Sequence, residues 1–142
     1  MGARVVVRAG LAALVVTALV VGLWAAFAPR SFYDDFPGGG RSWVAPDGPY
    51  NEHLVRDVGA LNLALTAAVI VALIALSRAA VVGAGLAWLV YSVPHFVYHL
   101  RHLGIYDTSD KIGNVVALGL ACVLPVIILV EARKLAPDQR GP

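Results

Sequence analysis

The sequence is short of charge and almost free of cysteine. Charged residues make up 14% of its 142 residues, whereas a soluble domain carries about 25%. Cys122 is the only cysteine, so the chain can form neither an intramolecular disulfide nor a cysteine-based metal site. The formal net charge is only +2, and no basic run is interleaved with aromatics. The composition therefore gives no indication of nucleic-acid binding.

Apolar residues are abundant instead, at 59% of the chain with a mean hydropathy of +0.76. A water-soluble protein of this kind would expose large apolar patches. Four apolar runs approach the roughly 20 residues that cross a hydrocarbon core. They cover about residues 9–28, 57–76, 79–100 and 112–130. The runs are unbroken and do not alternate with polar residues, which argues against membrane strands.

We therefore predict a single all-α domain over residues 1–142, an integral membrane antiparallel four-helix transmembrane bundle. The first run could instead be a signal peptide, because Arg4 and Arg8 precede it and "AFA" ends it. It is longer than the roughly 7–15 apolar residues of a signal peptide, and Pro29 would directly follow the cut. These points favour a retained first span.

The distribution of lysine and arginine in the short loops predicts the orientation. One side of the membrane would hold six basic residues, Arg4, Arg8, Arg78, Arg133, Lys134 and Arg140. The other side would hold five, Arg30, Arg41, Arg56, Arg101 and Lys111. Acidic residues fall mostly on the second side, with only Glu131 and Asp138 on the first. We predict that both termini are cytoplasmic, in the inner membrane of the cell, and that the outer loop 29–51 caps the bundle.

Polar residues gather at the outer ends of the second and third spans. The second span begins with "NEHLVRDVG", in which Glu52 and Arg56, and His53 and Asp57, are neighbours on a helix. The third span ends with "SVPHFVYHLRHLG", which places His95, among others, on one helical face. Its polar stripe consists of Trp88, Tyr91, Ser92, His95, His99 and His102. Asn62 and Asn114 could line the same pocket, and a kink at Pro94 would help to form it.

These patterns predict a ligand-binding pocket lined by Glu52, His53, Arg56, Asp57, Asn62, Tyr91, His95 and His99. His53, His95, His99 and Asp57 form a candidate set for a transition metal, and two imidazoles could equally hold a haem. Two other interpretations stay open. The histidines could anchor the helix at the membrane interface, or they could handle protons without a metal.

The segment "NEHLVRDVGALNLAL" combines a charged entrance to the second span with small residues and asparagine. With the four spans and the long aromatic first loop, it resembles small four-span bacterial membrane proteins of the DoxX-like kind. The functions of those proteins are largely unknown, although some members are tied to membrane redox processes. The resemblance implies a four-span topology and transfers no catalytic residues.

Three functional hypotheses follow from the sequence. The first is an accessory membrane protein whose outer-leaflet pocket binds a small lipophilic molecule or a metal. The second is a membrane oxidoreductase or isomerase that acts on a lipid-soluble substrate. The third is a structural subunit, whose partners besides the bilayer would be other membrane subunits or further copies of itself. His95 is expected to matter more than His102, because it lies deeper in the span, where a polar ring needs a partner.

The predicted orientation can be tested with reporter fusions. A reporter joined at Gly39 should report the outer side, and one joined at Arg78 should report the cytoplasm, because the positive-inside bias places the two loops on opposite sides. A cytoplasmic signal from the Gly39 fusion would overturn the orientation.

Overall fold

A computed structural model describes residues 2–136, and within that range the chain forms five α-helices and two short strands. The helices are α1 (Ala3–Phe27), α2 (Pro29–Asp35), α3 (Glu52–Ala75), α4 (Arg78–His102) and α5 (Thr108–Ala132). The strands are β1 (Pro37–Gly38) and β2 (Arg41–Ser42), and single 3₁₀ turns cover Ala45–Asp47 and Leu103–Ile105. Asp138 and Arg140, which entered the charge count above, lie outside the described residues.

Helices α1, α3, α4 and α5 are each long and apolar enough to cross a membrane. This confirms the prediction of a multi-pass membrane protein built as a helical bundle. The helices begin earlier than the apolar runs, at Ala3, Glu52 and Thr108 instead of about residues 9, 57 and 112. The difference arises because hydrophobicity marks only the part of a helix inside hydrocarbon, whereas capping side chains mark the first turns of α3 and α5.

Side-chain caps define the starts of three membrane helices. The side chain of Asn51 accepts a hydrogen bond from the main-chain N–H of Leu54 at 3.2 Å, and Ser77 accepts one from Ala80 at 3.2 Å. Asp107 accepts one from the N–H of Asp110 at 2.8 Å. That bond, together with one from Ser109, holds the pKa of Asp107 below its ordinary value. Each cap satisfies an N–H group that the helix itself cannot pair.

The four long helices are antiparallel to their neighbours and form a closed ring. Helix α1 packs against α3 and α5, and α4 packs against the same two helices from the other side. The main core between them contains Leu11, Leu14, Val69, Val81, Trp88 and Ile128. The opposite faces carry exposed large apolar side chains, such as Val16, Ile74 and Val90, which is the arrangement expected for helices surrounded by lipid.

Residues 28–51, here called the cap segment, lie across the end of the bundle where α3 and α5 begin. Helix α2 packs against α1 and α3, and the indole of Trp43 reaches Gly113 at the start of α5. The side chain of Asp47 accepts a hydrogen bond from Tyr98 of α4 at 3.1 Å. The segment therefore touches all four long helices and covers this end, as the sequence predicted for the loop. We call this the capped end.

The cap segment has more regular structure than the predicted loop. Pro29 occupies the first turn of α2, where its missing N–H costs no hydrogen bond. Trp24, Phe32, Phe36 and Trp43 form a chain of ring contacts, with centroids 5.9 Å, 4.7 Å and 6.2 Å apart in that order. These rings form a small second core that holds the segment against α1.

Close packing of α1 against α3 depends on Gly59. A Cβ atom added at this position would lie 2.7 Å from the Cα of Ala26 and would also collide with the main-chain nitrogen of that residue. Because both of these atoms belong to the backbone, no rotamer change relieves the collision. The helices would have to separate.

We predict that Gly59→Ala destabilises the bundle by about 1–3 kcal/mol, the usual cost of overpacking. Gly83→Ala is the matched control, because a Cβ at Gly83 meets nothing within 4 Å. The control should be neutral or slightly stabilising, since alanine favours helix more than glycine. Thermal unfolding in detergent would measure both, and equal midpoints would contradict the prediction.

Candidate functional site

The structure divides the eight predicted pocket residues into two groups. Glu52, His53, Arg56 and Asp57 lie in the exposed first turns of α3. Asn62, Tyr91, His95 and His99 lie deeper, on the sides of α3 and α4 that face each other or the interior. The two groups do not form one pocket in the described residues.

The first group consists of two exposed ion pairs. Arg56 pairs with Glu52 at 2.9 Å and also donates to the main-chain carbonyl of Ala26, near the end of α1. His53 lies 3.2 Å from Asp57, and the side chains of these two residues are 83% and 54% exposed. Arg56 therefore joins α1 to α3 and satisfies a helix-terminal carbonyl. This is a structural role that the spacing in the sequence did not indicate.

The candidate metal set His53, His95, His99 and Asp57 is not one cluster. Within residues 2–136, no three histidine, cysteine, aspartate or glutamate side chains lie close enough to share a metal ion. The reason lies in helix geometry, since residues two positions apart point about 200° apart. Val55 and Gly59 are buried, so His53 and Asp57, each two positions away, face outwards.

Three members of the second group, which lie on α4, form a column of stacked and touching rings with Tyr106, which follows α4. We call this the ring column: Tyr91, His95, His99 and Tyr106. The ring centroids of Tyr91 and His95 are 5.6 Å apart, those of His95 and His99 are 4.7 Å apart, and those of His99 and Tyr106 are 6.4 Å apart. At the inner end, Nδ2 of the buried Asn62 donates to the Tyr91 hydroxyl at 3.4 Å. This bond connects α3 with α4.

Tyr106 ends the column under the cap segment. Its hydroxyl donates to the carbonyl oxygen of Trp43 at 2.6 Å. Burial, reinforced by the negative charge of Asp47, raises the pKa of Tyr106 to about 12, so the phenol keeps its proton at neutral pH. Tyr106 was not among the predicted pocket residues, although it lies seven residues after His99 and so continues the spacing of the polar stripe.

The histidines of α4 differ in how their ring nitrogens are satisfied. Nδ1 of the exposed His102 lies 2.7 Å from the carbonyl oxygen of Tyr98, and the two rings stack at 4.1 Å. By contrast, His95 is half-buried and makes no hydrogen bond to any residue of the described range, and Nδ1 of His99 is buried there without a partner. Nδ1 of His99 is therefore a buried polar atom that remains available for a hydrogen bond.

A cleft of about 340 Å³ lies between the cap segment and α3. Its walls are mostly apolar, with Phe32, Val44, Val55 and Val58, and they include the carboxylate of Asp47. None of the eight predicted pocket residues lines it. Asp47 nevertheless connects the cleft to α4, because it accepts the hydrogen bond from Tyr98, which lies between His95 and His102 in the sequence.

Asp110 fastens the cap segment to α5. Its carboxylate accepts hydrogen bonds from the guanidinium of Arg41 and, at 2.9 Å, from the indole Nε1 of Trp43. Arg41 also donates to the hydroxyl of Ser109 at 2.9 Å. The side chain of Asp110 is only 14% exposed, so the pair is better shielded from water than an ordinary surface salt bridge.

Comparisons of the chain with known protein families, with curated proteins and with solved structures find no match. The resemblance to DoxX-like proteins therefore rests on the four-span layout and one segment. The structure supports the coarser part of it, four long apolar helices in a membrane bundle.

We predict that Asp110→Ala loosens the cap segment. The substitution removes charge-assisted hydrogen bonds worth about 1.5–3 kcal/mol, so the cap should open about tenfold more often or more. Limited proteolysis in detergent should then cut at the glycine-rich turn 38–40 correspondingly faster, with the sites identified by mass spectrometry.

The matched control is Asp34→Ala. Asp34 pairs with Arg30 at 2.7 Å inside α2 itself, and this pair does not connect the cap segment to another membrane helix. The control should be cut at nearly the wild-type rate. Equal cleavage of the two variants would show that Asp110 does not hold the cap.

Proposed function

We propose that this multi-pass membrane protein binds a small lipophilic molecule with a polar group at its capped end, in an accessory role. The observation that carries the proposal is the state of His95 and His99. Both rings lie in the ring column. Nδ1 of His99 is buried without a hydrogen-bond partner in the described part of the chain, and the half-buried ring of His95 contacts it. Burying unpaired polar atoms is costly, and a bound polar group would remove that cost.

The surroundings favour a ligand that comes from the bilayer. His95 and His99 are each only half-buried in α4, so part of each ring is accessible from the surface of the bundle. The predicted orientation places this region in the outer leaflet. A molecule dissolved in the membrane could therefore approach the ring column from the side, without passing through the cap segment.

The chemistry of the column indicates which polar groups would fit. A neutral imidazole offers one donor and one acceptor nitrogen, so a hydroxyl or a carbonyl can bond to it. Tyr91 is already bonded to Asn62 and would position the His95 ring by stacking rather than bind directly. No residue of the ring column lines the cleft of about 340 Å³, but Asp47 in its wall bonds to Tyr98, the residue before His99. The cleft could therefore hold an apolar portion of the molecule.

A second candidate is an isomerase that moves a proton on such a molecule. It is favoured by the direct contact of two imidazoles, with centroids 4.7 Å apart, because adjacent acid and base groups are what general acid–base catalysis needs. Chemical change of the bound molecule during incubation, lost in His99→Ala, would distinguish this enzyme from a binding protein.

We predict that His95→Ala removes the bound molecule. The protein would be purified from membranes in mild detergent and extracted with organic solvent, and the co-purifying small molecules would be measured by mass spectrometry. The variant loses one hydrogen bond between uncharged groups and one stacking contact, which should reduce the amount of bound molecule about tenfold. Elemental analysis and an optical spectrum of the same sample would test whether the histidines bind a metal or a haem instead.

His102→Ala is the matched control, because His102 is exposed and its ring already bonds to the carbonyl of Tyr98. It should keep the wild-type amount of bound molecule. If both folded variants retain the molecule equally, or if the wild type carries none, the histidines serve only as interfacial anchors and the proposal fails.

A further inference from the structure

A line of unsatisfied polar atoms continues inwards from the ring column. Trp88 Nε1 and Ser92 Oγ on α4, and Asn114 Oδ1 on α5, are buried and have no hydrogen-bond partner among residues 2–136. Their residues are 2%, 3% and 1% exposed, respectively. With His99 Nδ1, they make up four of the five such side-chain atoms found in the described chain.

The atoms on α4 share one side of the helix. Trp88, Ser92 and His99 are separated by four and seven residues, which keeps them on the same face. At 1.5 Å per residue they span about 16 Å along the axis, about half the thickness of a hydrocarbon core. His95, which also makes no hydrogen bond to the described residues, lies between Ser92 and His99.

Two threonine hydroxyls in the other membrane helices behave differently. Thr66 Oγ1 donates to the carbonyl of Asn62 at 2.8 Å, and Thr17 Oγ1 donates to that of Ala13 at 2.9 Å. A helical serine can usually satisfy itself in the same way. The hydroxyl of Ser92 does not. Leaving it unpaired costs about 1–3 kcal/mol, so a partner from outside the described protein groups would stabilise it.

We infer that bound water occupies a polar path along this face of α4, from His99 to Trp88, in the outer half of the membrane bundle. Water matches the chemistry of all the atoms concerned. The indole of Trp88 can only donate, the amide oxygen of Asn114 can only accept, and the hydroxyl of Ser92 can do both. Buried waters typically make two to four such hydrogen bonds.

The path would give protons access to the middle of the bundle. Trp88 forms part of the wall of an apolar groove of about 430 Å³, which is also lined by Leu14, Thr17, Ala121 and Leu124. The inner end of the water path, at the indole of Trp88, would therefore lie beside a groove that suits a hydrocarbon group. This inference shares His99 Nδ1 with the ligand proposed above but does not depend on that ligand, because Trp88 Nε1, Ser92 Oγ and Asn114 Oδ1 are unpaired in their own right.

The experiment observes the indole N–H of Trp88 directly. The chain has three tryptophans, so the protein labelled with ¹⁵N-tryptophan in lipid nanodiscs gives three indole signals, and Trp88→Phe identifies one of them. Magnetisation transfer from water should reach the Trp88 indole in the wild type. No transfer to that signal, together with an N–H that survives days in D₂O, would overturn the inference.

A pair of variants tests the route. Ser92→Val replaces the hydroxyl by a methyl group and adds a second methyl group inside the path, so it should reduce the transfer to Trp88 several-fold. Thr66→Val is the control, because it removes a buried hydroxyl on α3 that its own helix already satisfies, and transfer should stay unchanged. Unshifted signals of Trp24 and Trp43 would verify the fold. Equal effects of the two variants would contradict a path through Ser92.

These results are separable from those on the proposed function. Loss of ligand in His95→Ala with a dry Trp88 would leave the binding site standing and remove the water path. Magnetisation transfer from water to Trp88 in a protein that carries no bound molecule would support the water path and remove the binding site.

Discussion

The need to pair every polar group without help from bulk water governs this structure. In hydrocarbon an unpaired N–H, C=O or hydroxyl is costly, so the chain crosses the bilayer only as helices. The same constraint explains the side-chain hydrogen bonds to helix-terminal groups at the capped end. Arg56 bonds to the carbonyl of Ala26 beside the end of α1, and the side chains of Asn51 and Asp107 satisfy N–H groups at the starts of α3 and α5.

The cap segment meets that constraint by joining separate helices through a few shared polar groups. The carboxylate of Asp110 accepts hydrogen bonds from Arg41 and Trp43, and the carboxylate of Asp47 accepts one from Tyr98. Apolar rings fill the space beneath, with Phe32 and Phe36 between the indoles of Trp24 and Trp43. The result is a covered, well-packed end next to the ring column.

The buried polar atoms without hydrogen-bond partners are exceptions to this constraint. The buried polar side chains of α3, Asn62 and Thr66, have hydrogen-bond partners. The atoms that lack them in the described chain are concentrated on α4 and on the facing part of α5. A protein that satisfies its polar groups elsewhere and leaves a row of them open here is suited to accept something polar at that place, whether a ligand group or water.

The sequence by itself determined the number of membrane helices, their approximate limits and the gathering of polar residues at one end, because hydrophobicity, caps and helical spacing are local properties. It also placed Tyr91, His95 and His99 on one face. Only the tertiary structure decided that His53 and Asp57 point away from that face, and that Asp47, Tyr106 and Asp110 join the capped end. Those relations depend on how each helix is rotated about its axis and on where a folded loop comes to rest. Both are set by contacts between residues far apart in the chain, such as Gly59 against Ala26, and a one-dimensional pattern does not contain them.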